Sequence, residues 1–389
     1  MIRVLKPLFF IVLFITPFMG HGQADSVKMP YRVVDIKLHG GNHLYTGRQL
    51  EDLLENGYGA LEVRYGWQMS ESDEWASMHK YPTWGVGWYI GYIGDPDVFG
   101  NPNAVYGWIN LPLSRPDRRN QFEFGLGLGV TYNLIPFDPE DNPTNDAIGA
   151  RLAAYFNANI GGVYSLNREM DFLYSFDLTH FSNGRTVQPN YGLNMIGFNV
   201  GLRYHFNRNN KFSSDRINPS EVLAVRPDRT KTRKPNKTGD HSISFYQAVG
   251  TVQNRLDAGT SRRYVTSTSM LEYNYSISER SGLTFGFDYF IDPSVSDVNE
   301  EPAYAEHGTT QFPGVHIGYD YKFWKFTVRL QAGTMITEAG QDIKDGAFLR
   351  PAFKYDISEV FYGQFGLKTY RGATADWFEF GVGIRLVKF

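Results

Sequence analysis

A serine, a histidine and an amide side chain are spaced so that one strand pair can bring them together. His180 and Ser182 are two residues apart, and Asn194 follows His180 after 14 positions. Apolar and polar residues alternate on both sides of the polar turn in the stretch Asp171–Phe206, which predicts two antiparallel strands. If this hairpin closes symmetrically about residue 187, Asn194 lies directly opposite His180 on one face, and Ser182 follows on the same face.

These residue types suit acyl transfer. A serine hydroxyl becomes a nucleophile when a neighbouring histidine takes its proton, and a third polar group orients that histidine. Residues i and i+2 of a strand lie about 7 Å apart on one face, so His180 can reach Ser182. We expect Ser182 to be the nucleophile, His180 the general base and Asn194 the orienting acceptor. Asn183 and Gly184 are the available donors for the oxyanion. The alternative is that these are polar residues at a strand end without a catalytic role.

The elements that would position these residues form an all-β pattern. The chain has 389 residues, 40 glycines, no cysteine, 16% aromatic residues and a formal net charge of −3. Many alternating segments of about ten residues, rich in aromatic residues and glycine, are typical of an antiparallel transmembrane β-barrel of the outer membrane. A soluble β-sandwich is the alternative, and it would show fewer and shorter strands. Glycines on the inward face of several segments, such as Gly125, Gly127 and Gly129, predict a narrow barrel. We expect no nucleic-acid partner.

The candidate strands fall into two groups of eight, separated by a charged, Pro- and Asn-rich stretch at 207–240 that we interpret as a periplasmic linker. Either 23–206 and 241–389 form two eight-stranded barrels, or all 16 strands close into one larger barrel. The likeness of GFNVGLRYHF (197–206) to EFGVGIRLVKF (379–389) favours two barrels. Phe389 is out of phase with the face formed by Phe378 to Leu386, which predicts either a bulge or a frayed end near the C-terminus. The expected strands are at about 32–39, 60–69, 83–94, 104–113, 121–134, 147–164, 170–182, 192–206, 241–255, 264–278, 282–291, 309–321, 324–336, 346–356, 359–370 and 375–388.

Residues 1–22 predict a signal peptide, with Arg3 and Lys6 before an apolar run and small residues before Gln23. A retained membrane helix is the alternative, but the run of about 13 apolar residues is shorter than the ~20 that span a bilayer. Counting strands from a periplasmic start puts the connection 183–191 outside the cell. His180 and Ser182 would then face lipid at the level of the outer leaflet. On the same outward face, an acyl chain would contact a surface, here called the acyl-chain wall, that is formed by Phe172, Tyr174, Phe176 and Phe198.

The motif HFSNGR (180–185), followed by Asn190 and Gly192, resembles the lipid A 3-O-deacylase and acyloxyacyl hydrolase family of outer-membrane barrels. The resemblance covers about 31–206, including YGALEVRYGW (58–67) and GNPNAVYGWINLPL (100–113). It implies that His180 and Ser182 are the base and nucleophile, that Asn183 neighbours the oxyanion and that Asn190 is the turn asparagine. The characterised deacylase carries Glu at the position of Asn194. There the chain is instead similar to outer-membrane phospholipase A, which uses Ser, His and Asn in the same order.

Together these observations predict a serine esterase in the outer membrane of a Gram-negative bacterium. It would remove an ester-linked acyl chain from an outer-leaflet lipid, with lipid A the favoured substrate. The alternatives are a phospholipase A-like activity and a non-catalytic barrel that acts as a channel or structural element. We expect no cofactor and no metal, because no carboxylate is placed like the calcium ligands of the phospholipase family, and the outer-loop acids Asp138, Glu140 and Asp141 suit solvated positions. The sequence leaves the oligomeric state open.

Overall fold

The computed structural model describes residues 31–206, 232–295, 310–336, 346–370 and 374–389, apart from short gaps at 46, 48, 56, 69–72, 115–117 and 168. The predicted signal peptide and most of the predicted linker lie outside these residues. Among the helices that the structure describes, none has the length and apolar character needed to cross a membrane.

The first eight strands close into one barrel, because β1 pairs antiparallel with both β2 and β8. Every other pair of neighbours is consecutive in the chain, so the strands run up and down around the barrel. Three short helices lie in the connections: α1 (Glu51–Leu54), α2 (Glu74–Met78) and α3 (Pro96–Phe99). The strands are β1 (Tyr31–His43), β2 (Tyr58–Gln68), β3 (Thr83–Tyr92), β4 (Gly100–Pro112), β5 (Asn120–Leu134), β6 (Ala153–Ser165), β7 (Met170–Ser182) and β8 (Leu193–His205).

The other eight strands close into a second barrel, in which β9 pairs with both β10 and β16. The prediction of two eight-stranded barrels is therefore confirmed, and the single larger barrel is wrong. Short 3-10 turns lie at Arg255–Asp257 and Pro293–Val295. The strands are β9 (His241–Val252), β10 (Tyr264–Ser276), β11 (Ser281–Ile291), β12 (Gln311–Phe323), β13 (Phe326–Met335), β14 (Ala347–Asp356), β15 (Phe361–Tyr370) and β16 (Thr374–Lys388).

Charged side chains fill the inside of the first barrel in pairs. The ring of His39 lies 2.6 Å from a carboxylate oxygen of Asp177 and 3.2 Å from one of Glu62. Arg203 donates two hydrogen bonds to Asp35, at 2.8 and 2.9 Å. All of these side chains are buried. An ion inside a narrow barrel is stable only when a partner of opposite charge compensates it, and this pattern meets that condition.

The second barrel is filled in the same manner by different strands. His316 lies 2.6 Å from Asp288 and 3.2 Å from Glu272. Arg329 donates to Asp320 at 2.7 Å, again between buried side chains. Among the described residues, paired side chains therefore occupy the interior of both barrels, as the width of eight strands predicts.

Glycines on the inner face of the first barrel make room for aromatic rings. A Cβ atom on Gly87 would lie 2.2 Å from the ring of Tyr106, and one on Gly66 would lie 2.6 Å from Trp108. Real Cβ atoms do not approach other atoms so closely, so a side chain at either position would force a neighbouring ring to move. The expectation that small residues line a narrow barrel is confirmed, with the added finding that large aromatic neighbours fill the space.

The start of β6 differs from the prediction, whereas the irregularity near the C-terminus agrees with it. The strand expected at 147–164 begins only at Ala153, so the expectation was wrong for 147–152. Ala147 and Ile148 are instead buried in the outer loop, where the N–H of Phe137 donates to the Ile148 carbonyl at 2.7 Å. At the C-terminus, the expected bulge is confirmed by the register shift of β16 against β9 that precedes Val387.

The two barrels contact each other at the end where most connections are short, which is the periplasmic end in barrels of this kind. His79, just after α2, hydrogen-bonds to the Tyr321 hydroxyl at 2.7 Å. The guanidinium of Arg280 donates to the Met78 carbonyl at 3.4 Å. Burial, together with the charge of Arg280, lowers the pKa of His79 to about 4, so this contact is neutral at physiological pH. The barrels also meet at the opposite end, through the connection between β7 and β8.

The buried pair of Asp35 and Arg203 gives a test of the lumen. Asp35→Ala leaves the guanidinium buried without its bidentate partner, so we expect the free energy of unfolding to fall by about 3–5 kcal/mol. Urea unfolding in lipid vesicles, followed by tryptophan fluorescence, measures the change. The double variant Asp35→Ala/Arg203→Ala is the control and should recover most of the loss, because it removes the unpaired charge. A single variant as stable as the parent would contradict the described pairing.

Candidate active site

The β7–β8 hairpin has the register that the sequence predicts. His180 is paired directly with Asn194, and Phe181 with Leu193 is the last pair before the turn. The two faces of β7 also separate as expected. Phe176 faces outward and is exposed, whereas Asp177 is fully buried in the lumen beside His39. His180 therefore lies on the outer, lipid-facing side of the barrel.

The ring of His180 is held by Asn194. Its Nδ1 atom lies 2.7 Å from Oδ1 of the Asn194 amide. An amide oxygen can only accept, so Nδ1 carries the proton in this arrangement and Nε2 is the basic nitrogen. The hydrogen bond thus leaves His180 in the tautomer that can take a proton from a hydroxyl group on its other side.

Ser182 lies at the end of β7 and is only 1% exposed. Its Oγ atom accepts a hydrogen bond from the Gly184 N–H at 3.0 Å and another from the Asn190 amide at 2.9 Å. Both lone pairs of the hydroxyl are then occupied, while its own hydrogen is left to be donated. His180 lies two residues earlier on the same face of the strand, and among the described residues its ring hydrogen-bonds to Asn194 and not to the Ser182 hydroxyl.

The turn after Ser182 is closed by Asn190. Its Oδ1 accepts from the Asn183 N–H at 3.2 Å, and its Nδ2 also donates to the Gly184 carbonyl. Gly184 has φ +63°, a conformation that glycine adopts without strain. One asparagine side chain therefore ties together both ends of the turn and the serine hydroxyl.

The side chain of Asn183 is an exception within this closed turn. It is buried, at 6% exposure, and neither Nδ2 nor Oδ1 has a hydrogen-bond partner among the residues that the structure describes. Buried polar atoms are nearly always paired, so an unpaired amide beside a serine hydroxyl is a candidate for contact with a ligand.

Loops from elsewhere in the first barrel support the second half of the turn. The N–H of Gly192 donates to the Ala147 carbonyl at 2.9 Å, and the N–H of Tyr191 donates to the Asp146 carbonyl at 3.2 Å. Gly192 has φ +76°, and a Cβ atom there would lie 3.0 Å from Cε1 of His180. Residues 146 and 147 therefore support the site, although the sequence analysis placed Ala147 at the start of a strand.

The predicted acyl-chain wall faces outward. Phe198 is 68% exposed and lies opposite Phe176 across the strand pair, with ring centroids 5.4 Å apart. Phe172 is also exposed, and Tyr174 is half-buried, with its hydroxyl hydrogen-bonded to Asn120. All four therefore lie on the outer side of the hairpin that carries His180.

Sequence reasoning missed the residues that hold the turn from the second barrel. Arg185, directly after the Ser-Asn-Gly sequence, pairs with Asp292 and with Asp376, the latter at 3.0 Å. The sequence placed Arg185 in the recognised motif but offered no signal for its partners, which are more than 100 positions away. Among the described residues, no group of three or more His, Cys, Asp or Glu side chains could hold a metal ion.

Two family models match the chain, one for each barrel. A model described as lipid A 3-O-deacylase (PagL) matches residues 59–203, and a model described as acyloxyacyl hydrolase, C-terminal domain, matches residues 241–388. The chain belongs to the lipid A 3-O-deacylase family. The resemblance seen in HFSNGR is thereby confirmed, and it extends to the second barrel. Membership places the protein in the Gram-negative outer membrane and among acyl-ester hydrolases.

A search of curated proteins found no match to this chain. Solved structures that are similar include a mutant of the Rh. blastica porin (11% identity, covering 91% of this chain and 99% of that chain, TM-score 0.19). They also include Pseudomonas aeruginosa OccK5 (12%, 94% and 99%, TM-score 0.22) and the Acinetobacter baumannii outer membrane protein Omp33 (8%, 93% and 100%, TM-score 0.18).

The contact between Gly192 and His180 gives a test of the site geometry. In Gly192→Ala the new methyl group presses on the imidazole ring, so we expect the reaction of Ser182 with a small organophosphate fluoride to slow about 10- to 100-fold. Mass spectrometry of the labelled protein over time measures the rate. Gly239→Ala is the matched control, because Gly239 has a similar φ of +71° but no atom within 4 Å of the added Cβ. Equal labelling rates in the two variants would contradict the described packing.

Proposed function

We propose that this protein is an outer-membrane serine esterase that removes an ester-linked acyl chain from lipid A. The observation that carries the proposal is the pairing of His180 with Asn194, which leaves the basic nitrogen of the ring on the face that Ser182 shares. Family membership supports the acyl-ester chemistry, and the name of the matching model supports lipid A as the substrate.

The reaction follows from the roles of two side chains, Ser182 and His180. Ser182 Oγ attacks the ester carbonyl carbon while His180 Nε2 takes the hydroxyl proton. The tetrahedral intermediate collapses, the bond to the sugar oxygen breaks, and His180 returns the proton to that oxygen. Water then attacks the acyl-serine ester in the same way, with His180 again taking and returning a proton. The fatty acid leaves, and Ser182 is free again.

The oxyanion has two candidate donors. The Gly184 N–H already points at Ser182 Oγ at 3.0 Å, so it lies close to the position where the carbonyl oxygen becomes negative. The unpaired Nδ2 of Asn183 is the second donor, and a bound substrate would give this buried amide the partner that it lacks. The Asn183 N–H is less suitable because it donates to Asn190. Asn190 acts by holding the turn and the hydroxyl in place.

The position of the site in the membrane suits an acyl chain of the outer leaflet. Such a chain occupies about half of the ~30 Å hydrocarbon layer. Phe176 lies four residues below His180, about 13 Å along the strand, which is within that depth once the strand tilt is included. Phe176 and Phe198 would therefore contact the chain. Phe172 and Tyr174 lie deeper and would contact its end or the inner leaflet.

The interiors of the two barrels give little support to the alternative that the protein is a channel. Both lumens contain networks of buried, paired charges, among them His39 with Asp177 and His316 with Asp288. A phospholipase A-like activity uses the same chemistry, and Asn194 is the single residue that favours it. Because the family model names lipid A, we treat phospholipid cleavage as an outcome to be distinguished by experiment.

Removal of the nucleophile tests the proposal. Ser182→Ala should abolish release of fatty acid from purified lipid A, while the protein keeps the heat-modifiable electrophoretic mobility of a folded barrel. Mass spectrometry of the lipid should show the loss of one acyl chain with the parent protein only. Residual release at the parent rate would reject Ser182 as the nucleophile. Cleavage of phosphatidylethanolamine but not of lipid A would replace the proposed substrate.

Asn194 gives a second test. An amide orients His180 but supplies no negative charge to the imidazolium that forms in the transition state. In Asn194→Asp the charge is supplied, and we expect kcat to rise by about tenfold, which corresponds to ~1.4 kcal/mol. In Asn194→Leu, which has a similar shape but no acceptor, we expect kcat to fall by at least about 100-fold. Initial rates of acyl release at fixed pH measure both, and an Asn194→Leu variant with the parent rate would remove Asn194 from the mechanism.

A further inference from the structure

The connection between β7 and β8, which carries the candidate active site, is fastened to the second barrel along its length. The N–H of Arg185 donates to the Asp376 carbonyl at 3.0 Å, and the Arg185 carbonyl accepts from the Gln253 N–H at 2.7 Å. The N–H of Gln188 donates to the Gln253 side chain at 2.7 Å, and the Thr186 hydroxyl donates to the Thr251 carbonyl at 3.3 Å. Backbone groups on both sides of Arg185 are thus paired with β16 and with the end of β9.

The Arg185 side chain binds between two acidic residues of the second barrel. Its guanidinium pairs with the fully buried carboxylates of Asp292 and Asp376, and it donates to the Ser294 hydroxyl at 3.1 Å. Asp376 also pairs with Lys368 at 2.7 Å, and Asp292 accepts from the Ser294 N–H at 3.0 Å. These contacts within the second barrel hold both carboxylates in place. The first barrel supplies the cation that faces both of them.

This fastening begins three residues after Ser182. Gly184, whose N–H points at Ser182 Oγ, packs against the second barrel so closely that a Cβ atom on it would lie 3.3 Å from the ring of Phe378. The positions of the Asn183 and Gly184 donors therefore depend on where Arg185 is held. A shift of about 1 Å in such groups is enough to reduce a rate about 100-fold.

We propose that the C-terminal barrel is a positioning partner of the active site, and that Arg185 is the positioning residue through which it acts. This inference rests on the proposed esterase function. It assigns to the C-terminal barrel the task of holding the turn from Ser182 to Asn190 in its reactive shape. Among the described residues, Arg185 forms no hydrogen bond with Ser182 or His180. Its effect on their reactivity is therefore transmitted through the turn.

The barrel contact at the periplasmic end provides a matched control. There, His79 and the Tyr321 hydroxyl form a neutral hydrogen bond between the same two barrels, far from Ser182. Tyr321→Phe removes one hydrogen bond between the barrels without touching the turn. A difference between this variant and Arg185→Gln therefore separates positioning of the site from association of the barrels.

The experiment uses the full chain, folded in detergent micelles, with lipid A as substrate. We expect Arg185→Gln to lower kcat about 10- to 100-fold, with KM changed less than about threefold, because the lost contact acts in the transition state rather than in binding. Labelling of Ser182 by the organophosphate fluoride should slow in parallel. Arg185→Lys, which keeps a cation between Asp292 and Asp376, should recover part of kcat. Tyr321→Phe should stay within about twofold of the parent.

The outcomes of the proposal and of the esterase function can be told apart. If the parent protein and Ser182→Ala release fatty acid equally, the esterase function itself fails. If release depends on Ser182 but Arg185→Gln keeps the parent kcat and labelling rate, only the positioning role is rejected. Should Arg185→Gln not fold, as judged by heat-modifiable mobility, Asp292→Asn tests the same contact from the second barrel. It should lower kcat, and a parent-like kcat there would also overturn the proposal.

Discussion

The structure depends on one constraint: in the hydrocarbon layer of a membrane, each backbone N–H and C=O must be hydrogen-bonded within the protein. Sheets meet this constraint only by closing, and the chain does so twice, with β8 returning to β1 and β16 returning to β9. Closure also gives each strand a lipid face and a luminal face. Side chains that alternate along a strand are thereby assigned to one or the other.

That assignment explains where the charges are found. Odd-numbered residues of β1, such as Asp35 and His39, point into the lumen and are compensated there by Arg203 and Asp177. The even face of β7 points to lipid, and apart from the Tyr174 hydroxyl, polar side chains appear on it only at its end, with His180 and Ser182. An ionisable side chain that faces lipid is energetically unfavourable, so it is usually hydrogen-bonded and functional. His180 is hydrogen-bonded to Asn194, and the function that we propose for it is reaction with a membrane lipid.

A hairpin end is also the least constrained part of a barrel, because the turn beyond the last strand pair lacks ladder hydrogen bonds. Here the turn is stabilised from two sides. Asn190 and the 146–147 segment close it within the first barrel, and Arg185 attaches it to the second. A rigid turn matters for catalysis, because donors must already point at the position where charge develops. The second barrel supplies Asp292 and Asp376 for this attachment, and holding the turn is the role that we propose for it.

The sequence was sufficient for most features that depend on short-range alternation. The approximate positions of the 16 strands, the two faces of β7 and the pairing of His180 with Asn194 could be predicted. The reason is that a period of two residues and a symmetric turn leave one register for a hairpin. The resemblance carried by HFSNGR led to the family, since those residues are contiguous. Where apolar residues served another purpose, as at Ala147 and Ile148, the same pattern misplaced the start of β6.

Contacts between residues far apart in the chain could not be predicted in this way. Whether 16 strands close once or twice was suggested only by an internal likeness, and the tertiary structure settled it through the pairing of β8 with β1. The ion pairs of Arg185 with Asp292 and Asp376 could not be predicted from the sequence, because neither aspartate shares a strand, a turn or a motif with Arg185. Alternation along a strand determines whether each side chain faces the lumen or the outside of its barrel. Which surface it meets there is set by how the two closed barrels lie against each other.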